Sequence, residues 1–409
     1  MSGAPDALLT RRFVIVILSG LCYFGALGAL LPVVPRYVEK RLGGNDVAVG
    51  IAVGALAVGA ILLRPLAGRM GDRFGRRVLM IGGATVVGTM AIAAGLVESL
   101  PYLVATRVVM GLGEAGFFVG GTTMATDLAP VARRGEAVSY WSVAVWGGLA
   151  LGPVLGEIVL DHSHYDRVWL VAGALALSAA VIALFTTETR GSGETVRGRL
   201  INPAAVKPGV LLALTLLGIV GFSTFLPLYA PEAGVGDVGL LFLLYGVVVL
   251  VVRIFGARLP DRLGPLRAGT IAMGATTIGL VVVAAWQTTA GLVVGAVVIA
   301  VGSSFLYPAL LLLALRGVPE GERGSVVGTF SAFFDFAGGA AGVLLGGVAA
   351  LSSYPGAFAA GAVLAFIGLL LLRMGFGRAS GPAAGVAIAP AVPTTDSVAT
   401  ALIEPNPLP

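Results

Sequence analysis

Charged residues are scarce in this chain of 409 residues, at 11% of the total against about 25% in soluble globular domains. A water-facing surface cannot be assembled from so few, which excludes a soluble fold for most of the chain. Cysteine occurs once, as Cys22, so neither an intrachain disulfide nor a cysteine-based zinc site is possible. The two histidines, His162 and His164, stand beside Asp161 and Asp166 in a short predicted external loop. That grouping is too common by chance to define a site, and no metal is expected. No Gly-x-x-x-x-Gly-Lys-Ser/Thr stretch is present, so an ATP-driven pump would need a partner chain. No serine, histidine and acid arrangement has supporting local sequence; neither an enzyme nor a bound cofactor is expected.

What is abundant is apolar: 57% of the residues, with a mean hydropathy of +0.98. Stretches of about 20 apolar residues, the length that crosses a bilayer as a helix, recur twelve times. They lie at roughly 13–35, 46–66, 78–98, 101–125, 136–159, 168–186, 208–229, 237–257, 266–286, 290–315, 325–350 and 355–375. The first follows Arg11 and Arg12 as a signal peptide would, but no small-residue cleavage pattern follows it, so it reads as a retained span. The net charge of +5 could suggest nucleic acid. Its placement argues otherwise. With the N-terminus inside, 21 of the 26 Lys and Arg residues fall in or beside cytoplasmic loops and tails, a positive-inside bias. The expectation is a multi-pass, monomeric protein of the cytoplasmic membrane with both termini cytoplasmic.

A basic, glycine-punctuated turn appears twice. Residues 64–77 read RPLAGRMGDRFGRR, and residues 253–267 read RIFGARLPDRLGPLR. Arg64, Arg69, Asp72, Arg73 and Gly75 recur 189 positions later as Arg253, Arg258, Asp261, Arg262 and Gly264, and Arg134-Gly135 recurs as Arg323-Gly324. The chain therefore reads as two six-helix halves, 1–186 and 208–378, joined by a cytoplasmic linker over 187–207 and followed by an Ala/Pro/Thr-rich tail, 379–409, expected to be disordered. The fold class is all-α membrane protein, with twelve transmembrane helices in two pseudo-symmetric bundles.

Gly68-x-x-x-Asp72-Arg73-x-Gly75-Arg76-Arg77 resembles the loop 2–3 signature of the major facilitator superfamily, and the resemblance covers residues 10–378. Arg107-Val108-Val109-Met110-Gly111-Leu112-Gly113 looks like its arginine motif, and Gly148-x-x-x-Gly152-Pro153-x-x-Gly156 like the motif of its antiporter branches. The resemblance implies the major facilitator fold, drug:proton antiport, and a conformational latch at Asp72, with its degenerate copy at Asp261 and Arg262. The alternative is that the motif's arginines only set topology. The Gly148–Gly156 stretch reads either as a pivot or as plain tight packing.

An ionisable group inside a span costs about 2.5–3.5 kcal/mol on insertion scales and is a functional candidate by default. Arg107, Glu114 and Asp335 stand out. Arg107 and Glu114 are seven residues apart and so share one helix face. Glu114 suits a carboxylate that trades a proton for substrate with Arg107 tuning it; Asp335 is the second candidate. Either could instead be a structural pair. Span 1 holds no acid, unlike many proton-coupled exporters of the resembled family, and Glu157 is expected at a wet outer end. Phe117, Phe118, Trp141, Trp146, Phe222, Phe225, Phe305, Tyr307, Phe330 and Phe334 are candidate cavity residues, favouring lipophilic or weakly cationic cargo. The expected function is proton-driven efflux by alternating access. The alternatives are a proton-coupled importer of a polar metabolite, an amphiphile flippase and a non-transporting membrane scaffold or receptor.

Overall fold

The structure, a computed structural model, describes residues 8–130, 133–161, 164–189, 202–256, 263–319 and 323–376. Twelve helices there are long and apolar enough to cross a membrane. They are α1 (Arg11–Leu30), α2 (Asp46–Phe74), α3 (Arg76–Ala94), α4 (Leu100–Asp127), α5 (Arg134–Leu160) and α6 (Tyr165–Ala183) in the first half. The second half holds α7 (Pro203–Glu232), α8 (Val238–Gly256), α9 (Pro265–Ala285), α10 (Thr289–Ala314), α11 (Arg323–Leu351) and α12 (Tyr354–Phe376). A short helix, Val33–Arg36, and a π turn, Tyr37–Arg41, prolong α1. Strands are absent among the described residues. The fold is the all-α, twelve-helix membrane architecture expected from the sequence.

Local chemistry sets the ends. Side-chain oxygens of Thr10, Asn45, Asn202 and Thr288 accept backbone N–H groups in the first turns of α1, α2, α7 and α10. The duplicated hinge differs from a glycine-lined turn. Gly68 and Gly71 lie inside α2, which runs on to Phe74, and the chain reverses at Gly75 alone, at φ 103°. Its counterpart Gly264 has φ 78°, so both copies keep the one glycine whose conformation needs it. The Glu188 carboxylate accepts the backbone N–H groups of Arg76 and Arg77 at 2.8 and 3.3 Å, capping α3.

Within the first half, α1 packs on α5 and α6, α2 on α4, and α3 on α4 and α6; within the second, α7 packs on α11 and α12, and α9 on α10 and α12. Two seams join the halves, α2 against α11 and α5 against α8. Small residues make the first seam close. A Cβ at Gly50 would overlap the Gly342 carbonyl, one at Gly54 would overlap that of Gly339, and one at Gly346 would lie 2.6 Å from the Asp46 carbonyl oxygen. The antiporter-like glycines serve another interface. Cβ atoms at Gly148, Gly152 and Gly156 would collide with Gly25, Gly28 and Ala29 of α1, inside the first half. This agrees with tight packing, and α5 continues as helix through Pro153.

The face of the molecule opposite the described start of α1 and end of α12 is tied across the halves. Arg36 donates to both Glu157 oxygens at 2.7 and 2.9 Å and to the Pro227 carbonyl at 3.3 Å. Tyr354 donates to Asp46 at 3.1 Å. Glu157 is thus a paired residue, its side chain 19% exposed, rather than a solvated one.

Candidate functional site

Along the α2–α11 seam the paired positions run 50 with 342, 54 with 339, and 57 with 339, the last at 3.4 Å. From Ala57 to Arg64, α2 advances seven residues, about 10 Å, while α11 moves only from Gly339 to Asp335, about 6 Å. A long side chain spans the difference. The Arg64 guanidinium donates to Glu114 of α4 at 3.0 and 3.2 Å, and its other terminal nitrogen lies 3.0 Å from Asp335 of α11. One cation therefore serves a carboxylate from each half. Glu114 stands near the middle of α4, and the three side chains are 19%, 11% and 6% exposed for Arg64, Glu114 and Asp335.

The pair is unequally satisfied. Both Glu114 oxygens take a bond from Arg64, whereas Asp335 Oδ2 is buried with no partner. Aromatic rings wall the site. Phe118 lies 5.1 Å below the guanidinium, and Tyr307, 3.1 Å from the Ser331 hydroxyl, packs edge-on against Phe334 beside Asp335. Tyr23 of α1 stacks on Phe117 at 3.7 Å, and its buried hydroxyl has no partner.

The 189-residue offset carries this constellation onto the other seam. Arg64, Glu114, Phe118 and Asp335 correspond to Arg253, Ser303, Tyr307 and Trp146, the last by subtraction from 335. The geometry follows: Arg253 of α8 lies over the Trp146 ring of α5 at 4.4 Å, and Tyr245 donates to Ser303 at 2.9 Å. The neighbouring small-residue contact is preserved too, since Ala57 with Gly339 maps onto Gly246 with Ala150.

The structure brings Glu114 and Asp335 together through Arg64. It separates Arg107 from them in role: Arg107 is buried, and its Nε donates to the Ala52 carbonyl at 3.3 Å, while Glu114 takes Arg64 as its partner. Arg64 and Arg253 were read as loop-side topology residues. Arg64 closes the apolar span of a helix that runs on to Phe74, and Arg253 stands in the last turn of α8. In the hinge, Arg76 pairs with Asp127, and the Arg77 backbone N–H is held by Glu188. Arg73 lies 5.2 Å from the Phe74 ring. The Asp72 side chain, Asp261, Arg262 and His162 lie outside the described residues. Of the aromatic candidates, Phe118, Tyr307 and Phe334 reach the site; Phe117, Trp141 and Phe222 pack in the core, and Phe305 packs near Gly256. Sequence reading missed Arg64 as the partner of the two acids, seeing it only as the repeat mate of Arg253.

The family model described as Major Facilitator Superfamily matches residues 16–343, with a second match over 237–403. An uncharacterised MFS-type transporter of Salmonella typhimurium is 29% identical over 362 residues, 85% of this chain and 92% of the relative. One from Burkholderia mallei is 27% identical over 361 residues, 86% of this chain and 88% of the relative. Among solved structures, the human organic anion transporter MFSD10 (TETRAN) is similar with a TM-score of 0.69 and 20% identity, over 88% of this chain and 99% of that one. A bacterial homologue of the human lysosomal transporter Spinster, inward-facing and occupied, gives 0.73 and 15% identity over 91% of this chain and 97% of that one. With its twelve spans, its two seams and a family model matched over most of its length, this chain belongs to the major facilitator superfamily and is a multi-pass membrane transporter.

Proposed function

We propose that the protein is a proton-coupled exporter of lipophilic small molecules, working by alternating access in the cytoplasmic membrane. The observation that carries this reading is the single Arg64 guanidinium held by Glu114 of one half and Asp335 of the other. A cross-half ion pair at this depth is a two-state element: intact, it holds α2 to α11; neutralised on one side, it lets go. The proton is assigned to Asp335, one of whose oxygens is buried without a hydrogen-bond donor. Glu114 keeps Arg64 paired while Asp335 changes state. This reverses the order of the two acids expected from sequence, where Glu114 came first.

The closure opposite the termini, through Arg36, Glu157, Pro227 and the glycine seam, supports a state whose access lies on the terminal face. With basic loops on the cytoplasmic side, that face is the inner one. The chain acts on its own, with protons, cargo and lipid as its partners. Asp72 and Asp261 remain proposed latch residues. Cargo is not selected by the fold: the similar structures include transporters named for an organic anion and for nucleosides.

Purified protein in liposomes, given a pH gradient, tests the direction. Cargo moving against the proton flow supports export; movement with the protons overturns it and favours the importer. Asp335→Asn should abolish gradient-driven concentration while leaving passive exchange. If Asp335→Asn concentrates cargo like the parent, the carrier assignment fails.

A further inference from the structure

We infer that Arg253, backed by Trp146, is a binding site for the anionic group of an organic cargo. This deepens the transporter reading and rests on it. The repeat gives Arg64 two carboxylates but places Ser303 and Trp146 at the equivalent positions around Arg253. Arg253 therefore stands in the last turn of α8 with no carboxylate partner among the described residues, and its buried Nε has no hydrogen-bond partner. A cation held inside a membrane protein without a counter-ion is costly, and one aromatic face offsets only part of that cost.

The charge count points the same way. The guanidinium groups of Arg107, of Arg64 at the end of its apolar span and of Arg253 in the last turn of α8 outnumber the carboxylates of Glu114 and Asp335 by one. Arg64 is occupied by both acids, and Arg107 is turned onto the Ala52 carbonyl. Arg253 is the cation left over. Its planar fork is suited to bidentate recognition of a carboxylate or phosphate. Trp146 fixes it from one side, and the Tyr245–Ser303 hydroxyl pair stands nearby with its own bond made. A monoanionic aromatic compound would neutralise the surplus charge and lie against the indole.

Full-length protein in detergent, titrated with 1-naphthoate, its neutral amide and the corresponding naphthylmethylammonium, tests this without any proton gradient. The parent should bind naphthoate about tenfold more tightly than the amide, and the ammonium least. Arg253→Gln should erase the naphthoate preference while the protein keeps its elution profile, and Arg253→Lys should keep part of it. No naphthoate binding, a preference for the ammonium, or a preference intact in Arg253→Gln overturns the assignment. So does thermal stabilisation by short-chain phosphatidylglycerol with none by naphthoate, which would make the site one for lipid headgroups. A failed proton-gradient assay with the anion preference intact would sink the coupling reading alone.

Discussion

The two seams between the halves are the same structure built from different chemistry. In α2–α11, Arg64 meets a carboxylate at Asp335; in α5–α8, at the equivalent positions, Arg253 meets the face of Trp146. The small-residue step beside each is conserved with its partners exchanged, alanine facing glycine in one and glycine facing alanine in the other. The duplication leaves an ion pair at one seam and a cation over an aromatic ring at the other. An ion pair responds to a proton and a cation over an indole does not, so the two seams should respond unequally to pH.

The largest expected effect is at the shared cation. Arg64→Leu leaves two buried carboxylates unpaired, a loss on the order of 3–5 kcal/mol for breaking such a pair. Its thermal unfolding should fall well below the parent's, and Arg64→Lys should recover part of the difference. If Arg64→Leu melts with the parent, the pair is idle and the comparison collapses. Next is the seam itself. Gly54→Leu, whose side chain would strike the Gly339 carbonyl, should pry open the face opposite the termini. Alkylation of a cysteine introduced at Asp46 should then speed up relative to the same cysteine in an otherwise unchanged seam. An unchanged rate would mean the glycine contacts do not hold that face shut.

Smaller effects sharpen the second seam. Trp146→Ala should lower stability by about 0.5–2 kcal/mol, the range for a cation over an aromatic face, plus lost packing. Trp146→Asp should give Arg253 the carboxylate its counterpart has, and so remove the preference for naphthoate. A preference surviving in Trp146→Asp would place the anion elsewhere.

Much of this was legible without coordinates. Twelve apolar stretches and a constant offset of 189 define the architecture, since the length of a bilayer-crossing helix and the repeat both appear directly in residue order. Glu114 and Asp335 were visible because acids inside apolar runs are rare. Their partner was not. Arg64 adjoins a basic motif, and only the continuation of α2 to Phe74 carries it ten residues inside a helix. Residue order also does not say which helices abut across the halves, so Arg107, on the same helix as Glu114, was read as the residue tuning it. The Gly148–Gly156 stretch announced close packing, but the choice of α1 as its neighbour emerged only in three dimensions.

The most direct test measures both seams at once. In a Cys22→Ser background, spin labels at Leu66 and Val327 report on α2–α11, and labels at the repeat-equivalent Phe255 and Val138 report on α5–α8. Distances by double electron–electron resonance are compared between about pH 8 and about pH 5. The 66–327 distance should shift with pH and stay fixed in Asp335→Asn, while 255–138 stays fixed throughout. Equal shifts in both pairs, or a shift in 66–327 that survives Asp335→Asn, would contradict the account.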